Sequence, residues 1–167
     1  MFRGSFKNKL RQYAFNQLFQ AQVAHADYQE ARSRTADFLA KGKPGQPAIG
    51  AYFRALARWE SCLLNLQIFI DVMNRMKKEF KDERVFKPGD GTPEQRAYDI
   101  ATTIKHFGSA VADDRHDESD TVPMWLSNEG LRTRATELKF VELAQHVSEV
   151  ASAADELQDP KSLVEAK

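Results

Sequence analysis

Leu63-Leu64-Asn65-Leu66-Gln67-Ile68-Phe69-Ile70 is the stretch on which the fold turns. It lies within residues 48–84, a segment entered through Pro47 and rich in good helix formers, which reads as one long helix. On a helical wheel, Tyr52, Leu56, Trp59, Leu63, Leu66, Ile70 and Met73 build one broad stripe, and Phe53, Leu64, Ile68 and Val72 occupy the other side. Residues 63–70 are therefore expected at the centre of the core. A helix over the whole segment spans about 55 Å at 1.5 Å per residue, long for a small domain. It is expected to fold back on its predecessor as an antiparallel hairpin.

The predecessor is residues 5–40. Phe6, Leu10, Tyr13, Ala21, Ala24, Tyr28, Ala31 and Leu39 share one face of this helix, and Phe15, Leu18, Phe19 and Val23 form a second apolar stripe. A helix apolar on two sides needs two partners. Either other helices of the chain cover both stripes, or the second stripe meets another copy of the protein; the reading taken is a homodimer through Phe15, Leu18, Phe19 and Val23.

Downstream, Lys87-Pro88-Gly89-Asp90-Gly91 breaks the chain and Thr92-Pro93-Glu94-Gln95 opens a third helix. Thr92 can cap it, Pro93 suits its first position, and Gln95 can close a capping box. Ala97, Ile100, Ile104, Phe107 and Val111 form its buried face. Residues 122–140 read as a short irregular or β-like excursion, in which Pro123 confines the first extended piece to an edge. A last helix near 138–157 carries Phe140, Leu143, Val147, Val150, Ala151, Ala154 and Leu157 on one side. The expected fold class is all-α, a four-helix-type bundle built on the hairpin. Residues 1–158 form a single domain, and 159–167 a flexible tail.

Composition removes several function classes. The 167 residues include 24 basic and 24 acidic side chains, so a uniformly basic nucleic-acid-coating protein is excluded, though not a local site. Residues 1–89 hold 16 of the basic groups and 8 of the acidic ones, and the remainder the reverse. Pairing between oppositely charged helices is the simplest use of that split. The single cysteine, Cys62, excludes an internal disulfide framework and is read as a small buried hydrophobe. No signal peptide or membrane span is visible, and a cytoplasmic protein without membrane contact is expected. No phosphate-cradling glycine loop, serine elbow or zinc-protease histidine pair occurs, and no cofactor is implied.

The polar side of the third helix holds the best candidate chemistry. Asp99, Thr102 and His106 stand at successive turns, with Lys105 beside the histidine. His106 could exchange protons, its neighbours could orient the ring, and Lys105 could meet a phosphate. An amphipathic helix carries polar residues on its outer side in any case, so the pattern admits both readings. Arg54, Arg58 and Asn65 form a narrow polar strip on the second helix. Arginine heads there need an anion, either an internal carboxylate or a ligand phosphate. With Arg96 they are the candidate phosphate-binding residues. The run from Asp113 to Asp120 with His116 lacks the spacing of a calcium loop and reads as a solvated loop. His25 and His146 read as histidines at the edges of apolar stripes. No metal ligand is assigned.

The stretches Tyr52-Phe53-Arg54-Ala55-Leu56-Ala57-Arg58-Trp59-Glu60, Arg96 through His106, and Val122-Pro123-Met124-Trp125-Leu126-Ser127-Asn128-Glu129-Gly130-Leu131 resemble a bacterial family of helical proteins. That family is similar to the HEPN superfamily, whose bundles include metal-independent ribonucleases of toxin and phage-defence systems. The resemblance covers about residues 50–157. It implies a motif in which an arginine precedes a histidine by a few positions, the histidine acting on the RNA 2′-hydroxyl or leaving oxygen and the arginine stabilising phosphate charge. It also implies that two protomers combine at one cleft. His106 matches the histidine and Thr102 the polar companion. Ala101 stands where the arginine would, and Arg96 lies about 15 Å back along the axis and about 80° around it. The resemblance thus implies an RNA- or partner-binding dimer with residual nuclease chemistry. A non-catalytic homodimeric scaffold is the alternative.

Overall fold

Four helices and a small antiparallel sheet make up the computed structural model, which describes residues 8–41, 48–113 and 121–158. Phe6, the loop 114–120 and the tail 159–167 lie outside the described residues, as does the Leu157 side chain. Helix α1 spans Asn8–Lys41 and α2 spans Ile49–Glu79, and they pack along their length as the expected antiparallel hairpin. Helix α3 spans Pro93–Ala112 and α4 spans Phe140–Gln158. Between them strands β1 (Trp125–Leu126), β2 (Gly130–Arg132) and β3 (Glu137–Lys139) form a meander in the order β1-β2-β3.

The hairpin pairs small residues on α1 with large ones on α2. Ala14, Ala21, Ala24, Tyr28 and Ala31 are buried on α1, and they face Leu56, Trp59, Leu63, Leu66, Phe69 and Ile70 of α2. Leu63, Leu66 and Ile70 have no solvent exposure and Phe69 is buried, as expected of residues 63–70, but Ile68 faces outward and is exposed, and Leu64 and Asn65 are half-buried. Cys62 is buried against the helix, its Sγ 3.5 Å from the Ala24 carbonyl oxygen. Burial, aided by the nearby Asp27 charge, pushes its thiol pKa well up, so it remains a protonated core side chain.

Helix α2 stops five residues before its sequence pattern does. Lys81 takes a left-handed φ of 59°, Asp82 N–H donates to Lys77 C=O at 2.9 Å, and Lys81 N–H donates to Lys78 C=O at 3.2 Å. This pair of bonds satisfies carbonyls that the helix end would leave open. Asn74 Oδ1 then accepts from Val85 N–H at 2.9 Å and anchors the outgoing chain. At the start of α3, Thr92 Oγ1 accepts from Gln95 N–H at 3.3 Å, as the capping signal predicts. The reciprocal bond differs: Gln95 Oε1 accepts from Gly91 N–H, because Asp90 Oδ1 already takes the Thr92 N–H.

The excursion near 122–140 contains one strand more than the two extended pieces, 122–126 and 137–140, that the sequence suggests. Gly130–Arg132 is the middle strand, paired to β1 through Leu126↔Leu131 and to β3 through Leu131↔Leu138. Ser127 builds the first turn by accepting from the Glu129 and Gly130 N–H groups, and Thr133 builds the second by accepting from those of Ala135 and Thr136. Met124, Leu131 and Leu138 project into the bundle core and are fully buried. Pro123 precedes edge strand β1, where a missing donor costs no ladder bond. No helix among the described residues is long and apolar enough to cross a membrane.

Gly130 is required by this pairing. A Cβ there would collide with the backbone of Leu138 and Lys139 on the neighbouring strand, and backbone cannot swing aside as a side chain can. Gly130→Ala is therefore expected to destabilise the fold by about 1–3 kcal/mol. Urea denaturation checks this, and an unchanged midpoint would mean that β2 and β3 do not pair this closely.

Candidate functional site

Helix α3 and the sheet enclose a cleft of about 170 Å³, lined by Thr103, His106, Phe107, Ala110, Val122, Pro123, Trp125 and Arg134. The volume suits one nucleobase or phosphate group rather than a drug-sized ligand. The helical rise brings Thr103, His106, Phe107 and Ala110 onto one side of α3. Val122 to Trp125 reaches it as the approach to β1, and Arg134 reaches it from the turn between β2 and β3. His106 and Arg134 are exposed, whereas Trp125 is half-buried in the wall. An imidazole, a guanidinium and an indole thus line one opening.

His106 is the one member of the expected constellation at this cleft. Thr102 turns toward α2, where its hydroxyl accepts from Gln67 Nε2 at 2.8 Å and donates to Tyr98 C=O at 2.9 Å. It therefore positions the helix and not the His106 ring. Asp99 is half-buried one turn further back, and burial raises its carboxyl pKa. Lys105 is exposed and is not among the lining residues.

The three arginines have other settings. Asp27, buried in the hairpin, accepts from Ser61 Oγ at 2.6 Å and Asn65 Nδ2 at 3.1 Å, and it pairs with Arg58 at 3.5 Å. The polar strip of α2 thus finds an internal carboxylate. Arg54 lines a separate hollow with Arg34, Asp37 and Ala51. Arg96 makes a two-pronged pair with Glu142, at 2.8 and 3.1 Å, and also donates to the carbonyls of Gly91 and Glu137. It ties the start of α3 to β3 and α4, away from His106.

No protein-family model, curated protein or solved structure matches this chain. The site is accordingly read from its own geometry.

Arg134 and Trp125 were missed by sequence reasoning as site residues. Arg134 follows β2 by two positions and lies 28 residues beyond His106, so no helical spacing connects them. Elsewhere, His146 of α4 is buried beside Glu94 of α3, with 3.6 Å between its Nδ1 and the carboxylate. Burial lowers its pKa and outweighs the opposing effects of Glu94 and Glu149, which keeps the ring neutral near pH 7.

The Arg96 guanidinium holds the Glu142 carboxyl below its ordinary value of 4.5, helped by the Lys139 N–H that the carboxylate also accepts. A depressed folded-state pKa contributes stability above pH 4.5, and that contribution is lost as pH falls through the lowered value. Arg96→Ala is expected to cost about 2 kcal/mol at pH 7. Denaturation curves should show the gap between variant and wild type narrowing at pH 3. An equal gap at both values would show that the carbonyl contacts, and not the ion pair, carry the effect.

Proposed function

We propose that the protein is a HEPN-like cytoplasmic module that binds single-stranded RNA at the His106–Arg134–Trp125 cleft and cleaves it there. The observation supporting this reading is the meeting of those three side chains in one opening. Each suits a different part of a nucleotide. The indole offers a stacking surface to a base, the guanidinium a partner to phosphate, and the imidazole a base for the adjacent 2′-hydroxyl.

The chemistry that follows is transesterification. His106 takes the 2′-hydroxyl proton as that oxygen attacks phosphorus. The bond to the 5′-oxygen breaks, leaving a 2′,3′-cyclic phosphate and a 5′-hydroxyl that acquires its proton from solvent. Arg134 stabilises the charge gathering on the phosphoryl oxygens. In this reading Arg134 supplies in space the arginine that position 101 lacks in sequence.

Fluorescence anisotropy with a labelled uridine-rich oligonucleotide tests the binding. Trp125→Ala should weaken it by about 1–3 kcal/mol, the usual worth of one stacked base. Arg134→Ala should lower the salt dependence by about one phosphate contact. His106→Ala should retain binding and lose cleavage on a gel. Wild-type protein that neither binds nor cuts RNA overturns the reading.

A second reading, a homodimeric scaffold, is favoured by the outer side of the hairpin. Phe15 and Phe19 are 58% and 56% exposed, and Val23 is half-buried. Val23 lies one turn before Asp27, and Ile68 (41% exposed) lies one turn after Asn65, the residue that bonds Asp27. The antiparallel register therefore carries the apolar strip across both helices. Leu18 is a correction to the expected stripe: it packs against the internal core, nearly a half-turn around α1 from Val23 and Asp27.

Burying each phenylalanine is worth about 1.5–3 kcal/mol. Combined Phe15→Glu and Phe19→Glu should leave the fold intact and turn dimers into monomers by light scattering. Monomeric wild-type protein rules the dimer out.

A further inference from the structure

One cluster has no part in the cleft. Glu94 in the first turn of α3, and His146 and Glu149 of α4, place one potential ligand atom each within 4.8 Å of one another. The His146-x-x-Glu149 spacing sets both α4 residues on one side of that helix, one turn apart, facing the start of α3.

The imidazole is the telling member. Its residue is 5% exposed, yet neither ring nitrogen has a hydrogen bond among the described residues. Nδ1 stops 3.6 Å from Glu94 Oε1, and Nε2 is buried without a partner. Nε2 loses hydration without replacement, while Nδ1 faces the Glu94 carboxylate at a distance that no hydrogen bond spans.

We propose that Glu94, His146 and Glu149 bind a divalent first-row transition ion, with Zn²⁺ as the reference case, that clamps the start of α3 to α4. The spacing suits such an ion. Zinc sits about 2.0–2.1 Å from imidazole nitrogen and about 2.0–2.2 Å from carboxylate oxygen, so two ligands of one tetrahedral ion lie about 3.3–3.5 Å apart. At 3.6 Å, His146 and Glu94 are too far apart for a hydrogen bond and near enough to share a metal. Glu149 closes the third side with a small rotamer adjustment, although Gln145 Nε2 donates to its Oε1 at 2.9 Å. Its exposure leaves a route for the ion and room for water as the remaining ligand. One nitrogen with two carboxylates favours a borderline ion over Mg²⁺ or Ca²⁺, which prefer all-oxygen shells.

Calorimetric titration of ZnCl₂ into chelator-treated full-length protein tests the site. One ion per chain is expected, with the dissociation constant raised at least tenfold in Glu94→Gln and again in Glu149→Gln. Both substitutions keep side-chain size, and circular dichroism confirms that each variant stays folded. MgCl₂ should produce no comparable heat. The Co²⁺-loaded protein should show a visible absorption band that Glu149→Gln weakens. Absence of stoichiometric Zn²⁺ binding overturns the proposal. So does equal affinity in wild type and both variants, which would place the ion on other histidines such as His25 or His106.

Discussion

The alanine ridge of α1 is the constraint on which the rest of the structure depends. Ala14, Gln17, Ala21, Ala24, Tyr28 and Ala31 follow one another at alternating intervals of three and four residues, and all are buried. The facing stripe of α2 keeps the same rhythm through Leu56, Trp59, Leu63, Leu66 and Ile70. A 3.5-residue repeat holds two helices in register along their length. Small side chains on one helix leave room for large ones on the other, which is how a 34-residue helix and a 31-residue helix form one continuous layer. Trp59 lies in the half of that layer formed by the end of α1 and the start of α2. Its indole N–H donates to Thr35 Oγ1 at 3.0 Å, and its ring meets those of Tyr28 and Phe140.

On this layer the sheet serves as a plug rather than a domain. Its strands are two or three residues long, too short to persist alone, and they are held by burial of Met124, Leu131 and Leu138. Tyr52 of α2 reinforces the edge by accepting from the Leu126 N–H at 3.2 Å, and Phe140 N–H donates to Glu129 C=O where β3 becomes α4. Arg96 closes the far side through Glu142 and two carbonyls. The cleft owes its shape to these contacts, since α3 supplies one wall and the sheet the other.

The architecture was largely legible because burial imposes periodicity. The hairpin, the Thr92 cap, the extent of α3 and the core role of Leu63, Leu66 and Ile70 all follow from spacings a single helix displays in sequence. Other details escaped, among them the ends of two elements. The end of α2 depends on Lys81 adopting a left-handed conformation that lysine rarely takes, so its sequence carries no glycine signal. Strand β2 is three residues long and begins with Gly130, which reads as part of a turn until β3 is seen against it. The candidate site was legible only in part. His106 belongs to the polar side of a helix and could be found from spacing, whereas Arg134 and Trp125 reach it from separate turns and strands.

The sequence by itself determined the helices, most of their buried faces (though Leu39 and Val111, read as buried, are exposed) and the absence of any internal disulfide framework. It also supplied arginines in need of carboxylates without naming which ones. Tertiary structure decided the partners. Asp27 meets Arg58, Ser61 and Asn65, Glu142 meets Arg96, Thr102 turns to Gln67, and Glu94 comes beside His146. The division has a physical reason: local periodicity records which side of a helix is dry, because every turn contributes to it. A contact between residues dozens of positions apart is set by how whole helices cross, and no spacing along the chain encodes that.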